Sequence, residues 1–256
     1  ATVVTLAGPA TAITETTGGS TAATFTVNLS VASEQTIAVN FSTTDGTATV
    51  ADGDYTANNS TVTLTPGATS ATATVLVTGD NKSELDETFM ASIGGLAPTG
   101  TGVTLGAATS STVTITDDDA ITIAIVGATV KEDAGMANFD VKLSGANGQT
   151  VTVDFATADG TALAGQDYTA SSGSLTFTEG GAMTQTIDVT LLGDTIDEDD
   201  ETFTVSLSNA TNATIGTGTG TGTILDNENA PEASFAAGAV SVTEGVGTTG
   251  VSVSLS

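Results

Sequence analysis

The chain repeats itself at an interval of about 114 residues, and no other feature limits its possible folds so strongly. Phe41-Ser42-Thr43-Thr44-Asp45-Gly46-Thr47-Ala48 returns as Phe155-Ala156-Thr157-Ala158-Asp159-Gly160-Thr161-Ala162, 114 positions on. Gly53-Asp54-Tyr55-Thr56-Ala57 returns as Gln166-Asp167-Tyr168-Thr169-Ala170, and Asp86-Glu87-Thr88-Phe89 as Asp200-Glu201-Thr202-Phe203. Val242-Thr243-Glu244-Gly245 matches Val130-Lys131-Glu132-Asp133, and Ser256 matches Ser144. This divides the chain into residues 1–119, residues 120–228 and 229–256, the last being the start of a third, incomplete repeat.

Each unit must therefore build its core from about 110 residues. Short β-branched runs separated by Gly, Asn and Asp predict strands and turns, and no long stretch has a helical period. In the first repeat the expected strands are A at 3–14 (broken near Gly8-Pro9), B 23–30, C 36–43, D 61–65, E 71–78, F 88–93 and G 111–116. Phe25, Val27 and Leu29 share one face, as do Ile37, Val39 and Phe41. The second repeat offers Phe139, Val141 and Leu143, then Val151, Val153 and Phe155. The fold class expected is all-β: tandem immunoglobulin-like antiparallel β-sandwiches of about seven strands each. The recurring Phe and Tyr read as core. The alternating Gly and Thr of 216–222 read as a hairpin leading into strand G.

Charge narrows the function. Thirty acids face three bases, Lys82, Lys131 and Lys142, for a net charge of −27. Phosphate contacts need Lys or Arg, so nucleic acid is excluded as a partner. With no Cys and no His, disulfides, thiolate sites and the commonest general base are absent. No apolar stretch is long enough to insert in a membrane as a helix. A carboxylate-pair glycosidase would not need its acid loops duplicated, so the chain reads as no enzyme.

The acids are also placed unevenly. If strands run up and down, every loop after an odd-numbered strand lies at one end. Those segments hold Glu15, then Asp45, Asp52 and Asp54, then Asp80, Glu84, Asp86 and Glu87, and finally Asp117 to Asp119. Eleven of the twelve acids of the first repeat thus share an end, and only Glu34 lies at the other. In the second repeat Glu179 alone lies at the far end. An acidic surface that only maintains solubility has no reason to be so one-sided, and concentrated like charge costs stability until something neutralises it. A hard divalent cation bound by loop oxygens fits, with calcium ahead of magnesium because its geometry is more permissive.

The ordered set Asp-Gly-Thr-Ala, Asp-Tyr, Glu-x-x-Glu-Thr-Phe and Thr-Ile-Thr-Asp-Asp-Asp resembles the Calx-beta domain, found in sodium–calcium exchangers and in large extracellular adhesion proteins. The resemblance covers both full repeats. It implies calcium ligands at Glu15, Asp54, Asp80, Glu84, Glu87, Asp117, Asp118 and Asp119. In the second repeat it implies Glu132, Asp167, Asp194, Glu198, Glu201, Asp226, Asn227 and Glu228, with several Ca2+ ions per junction. Two departures stand out: Gly79 and Gly193 replace an acid of the exchanger-type pattern, and Asp226-Asn227-Glu228 replaces three Asp. Both imply fewer ions, and the second a weaker second cluster.

Asp117–Asp119 run directly into Ala120-Ile121, so the acidic end of one repeat must abut the next. The expected role is a calcium-rigidified segment of a bacterial extracellular or cell-surface stalk, adhesin or filament. Its partners would be neighbouring repeats, with a homopolymer formed by strand addition as the alternative to a longer array. The competing function is a calcium sensor acting on a membrane partner.

Overall fold

The computed structural model describes residues 1–99, 102–235, 244–245, 250 and 252–255. Val242, Thr243 and Ser256 of the third-copy motif lie outside the described residues.

The first repeat comprises β1 (Thr2–Ala7), β2 (Ile13–Thr14), β3 (Gly19–Leu29), β4 (Ile37–Asp45), β5 (Tyr55–Thr56), β6 (Ser60–Leu64), β7 (Ser70–Gly79), β8 (Lys82–Ser83), β9 (Glu87–Ala97), β10 (Val103–Leu105) and β11 (Ser110–Thr116). One sheet has the order β10-β1-β3-β7-β5, and the other β2-β11-β9-β4-β6. The expected strand A is split between them. β1 pairs antiparallel with β3, while β2 pairs parallel with β11. The crossing occurs at Gly8, where a Cβ would lie 2.1 Å from Ser111 Oγ, so only glycine lets the chain pass there.

The second repeat comprises β12 (Thr122–Ile125), β13 (Ala128–Lys131), β14 (Met136–Leu143), β15 (Ala146–Asn147), β16 (Val151–Asp159), β17 (Ser172–Phe177), β18 (Thr184–Thr190), β19 (Glu201–Thr211), β20 (Thr214–Thr217) and β21 (Thr219–Leu225). Its sheets are β18-β14-β12-β20 and β13-β21-β19-β16-β17. The Gly/Thr stretch is not the simple hairpin its composition suggests. β20 pairs parallel with β12 in one sheet, and β21 pairs with β19 in the other. The chain therefore crosses between sheets at Gly218, because β12 has an open edge that backbone groups at 214–217 satisfy.

Strict alternation puts one face of each strand inside. Ala23, Phe25, Val27 and Leu29 of β3 meet Phe89, Ala91 and Ile93 of β9 in one buried cluster. Phe139, Val141, Phe203 and Val205 lie in a second cluster spanning 121–224. Each buried large side chain contributes about 1.5–3 kcal/mol. Tyr55 stacks on Phe89 and Tyr168 on Phe203, both with centroids 4.4 Å apart. Phe155 is only partly buried, at the margin of its cluster.

The recurring Asp-Gly-Thr-Ala has a structural cause. Ala48 is buried and its N–H donates to Thr88 O, while Thr47 Oγ1 accepts from Thr88 N–H. Gly46 is required because a Cβ there would lie 2.3 Å from Thr88 O. Gly160, Thr161 and Ala162 repeat these contacts against Thr202.

The two repeats meet end to end. The acidic end of the first faces the second repeat's sparsely charged end, where Gln149, Glu179 and Asn212 lie. A short parallel ladder joins them: Lys82 and Ser83 of β8 pair with Ala146 and Asn147 of β15. Beyond the second repeat, Ala233–Phe235 pairs antiparallel with Val253–Leu255.

Candidate metal centre

Four chain segments bring carboxylates to the acidic end of the first repeat. Glu15 follows β2, and its N–H donates to Thr116 O, which ties it to the end of β11. Asp54 precedes β5, with Thr49 N–H donating to its Oδ2 at 2.6 Å. Asp80 follows β7, its Oδ1 accepting Lys82 N–H at 2.7 Å. Glu84 and Glu87 flank the start of β9. The carboxylates of Asp54, Glu84 and Glu87 offer oxygens all within 4.8 Å of one another.

Glu15 is only 5 % exposed. Burial, the charges of Asp117, Asp80 and Glu84, and a hydrogen bond with Asp117 push its carboxyl up to about 8. Glu87 is pushed up to about 7 by burial and by Asp54. Asp119 is raised by burial and by Asp118 and Asp117. Its Oδ1 accepts from Thr17 Oγ1, while its Oδ2 is buried with no hydrogen-bond partner. Asp118 is exposed.

The second repeat forms two such groups: Asp167 with Glu198 and Glu201, and Glu132 with Asp226 and Glu228. Leu163 N–H holds Asp167 Oδ2 at 2.7 Å, matching Asp54 in the first repeat. Glu132 opens a single 3-10 turn closed by Gly135 at φ 77° and is 8 % exposed. A hydrogen bond with Glu228, then burial, pushes Glu132 up to about 7, and burial beside Asp167 does the same to Glu201. Glu198 is raised as well. Asp194 Oδ1 accepts Ile196 N–H, as Asp80 accepts Lys82 N–H. Asn227 donates to Glu228 and leaves its own Oδ1 buried and unpartnered. Glu228 thus fills the position opposite Glu132 despite the altered Asp-Asn-Glu ending.

These donors suit a hard cation. They are oxygens only, they cluster from separate loops, and crowding makes several of them hard to ionise together, a repulsion that a divalent ion would relieve. A bound divalent ion would supply the positive charge needed for all of them to ionise together.

Two features escaped sequence reasoning. Lys82 forms an ion pair with Glu84, so the first repeat brings a cation of its own to the cluster. The counterpart 114 residues later is Ile196. The glycines that replace an expected acid are required by space: a Cβ on Gly193 would lie 2.9 Å from Glu132 O. The sequence signal was a glycine directly before Asp in both repeats. Asp45 and Asp159, by contrast, accept hydrogen bonds from the hydroxyls of Tyr55 and Tyr168 and from the N–H groups of Val50 and Ala164. They shape the loops.

Residues 1–119 and 117–228 each match the Calx-beta domain family model. The chain belongs to the Calx-beta domain family. These Calx-beta repeats are 31 % identical over 167 residues to adhesion G-protein coupled receptor V1 of Danio rerio. That stretch covers 62 % of this chain and 3 % of the receptor. Among solved structures, the apo-form Calx CBD1 domain is 27 % identical with a TM-score of 0.41, covering 43 % of this chain and 100 % of that one. CBD12 from CALX1.2 is 22 % identical with a TM-score of 0.39, over 81 % of this chain and 80 % of that one. No helix among the described residues is long and apolar enough to cross a membrane.

Proposed function

We propose that this chain is a calcium-binding tandem segment of an extracellular or cell-surface protein. Ions at the acidic end of each Calx-beta repeat stiffen its junction with the next. The observation that carries this reading is the burial of Glu15 and Glu132 among other carboxylates. Such a group repels itself when ionised, and a divalent ion relieves it.

Glu15, Asp54, Asp80, Glu84, Glu87 and Asp117–Asp119 hold the ions of the first repeat. Glu132, Asp167, Asp194, Glu198, Glu201, Asp226, Asn227 and Glu228 hold those of the second. A stalk, adhesin or filament is the setting that best uses such end-to-end stacking, since repeat arrays draw stability from neighbour contacts. The antiparallel pair at 233–255 supports a third repeat at 229–256, resembling the pairing of β12 with β14.

Calorimetric titration of the metal-free chain with calcium, with thermal melts and X-ray scattering on the same samples, tests the reading. Calcium should raise the melting temperature and narrow the distribution of the radius of gyration. If titrated calcium releases no heat and shifts neither quantity, the proposal is wrong.

A further inference from the structure

The loop between β14 and β16 contacts the main chain of the first repeat rather than forming a charged pair with it. Gly148 N–H donates to Ser83 O at 2.7 Å, continuing the pairing of β15 with β8. Gln149 Nε2 donates to Glu84 O at 3.2 Å. The contact therefore grips the backbone of the segment that carries Glu84.

Gly148 is required by space. A Cβ there would lie 2.8 Å from Ser83 O, 2.9 Å from Glu84 Cγ and 3.2 Å from Lys82 Cε. The first of these is a backbone oxygen that accepts the Gly148 N–H, and it cannot retreat without opening the ladder. The loop is also built for rigidity. Asn147, 1 % exposed, donates through Nδ2 to Gln149 O and Thr178 O, both at 2.9 Å, and to Phe177 O.

The first repeat has the same loop with different residues. Leu29-Ser30 matches Leu143-Ser144 and Ile37 matches Val151, which sets Val31, Ser33 and Glu34 at the places of Gly145, Asn147 and Gly148. Glu34 in the Gly148 position would collide with the receiving backbone at Ser83 O and set a further negative charge beside Glu84. Its loop lies exposed.

We propose that the loop between β14 and β16 is a docking element that grips the main chain of the preceding repeat, and that Gly148 decides whether a repeat can be received. A repeat with an acid there, as the first has Glu34, cannot make the grip. The grip is made by the chain alone and needs no ion, so a failure of calcium binding would leave it standing.

The test uses the full chain in chelator, with Gly148→Glu, Ser83→Pro and Glu34→Gly. Gly148→Glu should raise hydrogen exchange in peptides spanning Lys82–Glu84 by about tenfold, the loss of roughly one or two hydrogen bonds. It should also broaden the radius-of-gyration distribution in X-ray scattering, while exchange in β19 stays unchanged. Ser83→Pro removes a backbone N–H from the receiving side and should reproduce both effects. It keeps the test decisive if Gly148→Glu disturbs β19. Glu34→Gly should change neither quantity. Wild-type exchange and scattering in both Gly148→Glu and Ser83→Pro would overturn the proposal, as would an equal effect from Glu34→Gly.

Discussion

A Cβ placed on Gly79 would lie 1.7 Å from the carbonyl oxygen of Thr16. The backbone that carries Glu15 thus passes directly against the end of β7, and glycine there lets the two approach. An expected acid position has been exchanged for proximity between two carboxylate-bearing segments.

Gly79→Ala should therefore destabilise the first repeat by about 1–3 kcal/mol or more through overpacking. It should also weaken calcium binding there, because Glu15 would be pushed away. Gly193→Ala, with its nearest clash at 2.9 Å, should cost less. Denaturant unfolding and calorimetric titration of each variant would check the order.

Stability without calcium should fall as pH rises. The ordinary glutamate value is 4.5, whereas Glu15 stands at about 8 and Glu87, Glu132 and Glu201 at about 7. The native state then holds more protons than the unfolded chain across that window. The stabilisation is complete below about 4.5 and is lost as pH rises through 7 to 8. Saturating calcium should flatten or reverse the trend, because it binds the ionised groups. Melting temperatures from pH 5 to about 8.5 in chelator and in calcium would measure both slopes.

Glu15→Gln and Glu132→Gln should have opposite signs in the two conditions. In chelator each removes a carboxylate from a repulsive group, so stability should hold or rise. In calcium each removes a charged ligand and should weaken affinity by about tenfold or more. Melts with and without the ion separate the two effects.

Lys82→Ala should strengthen calcium binding in the first repeat. The ammonium pairs with Glu84 and repels an incoming divalent ion, and its removal should tighten binding by about tenfold at low salt. The gain should shrink as ionic strength rises. Ile196→Ala, at the matching place in the second repeat, should leave affinity unchanged. Calorimetry at two salt concentrations would read this.

Tyr55→Phe and Tyr168→Phe should cost their repeats similar amounts, about 1–2 kcal/mol each, since both hydroxyls donate to an Asp carboxylate. Burial and the bond to Asp45 hold the Tyr55 hydroxyl up at about 12, so it stays a donor throughout the working range. Urea unfolding of the two variants would show whether the costs match.

Much of the molecule could be read from residue order. Alternation of Phe25, Val27 and Leu29 marks a strand with one buried face, because side chains in a strand alternate sides whatever surrounds them. The doubled motifs mark two units, since each repetition carries its own core. Loop parity draws Glu15, Asp54, Asp80, Glu84 and Glu87 to one end, because strands that run up and down return their alternate loops to the same end.

Tertiary structure alone decided which carboxylates share a group, that Glu228 stands opposite Glu132, that Lys82 occupies Glu84, and that Gly148 admits the second repeat. Each depends on the separation of segments distant in the chain. Sheet register, the crossings at Gly8 and Gly218, and the stacking of one repeat on the next set those separations, and none is encoded in the local pattern around the residues that meet.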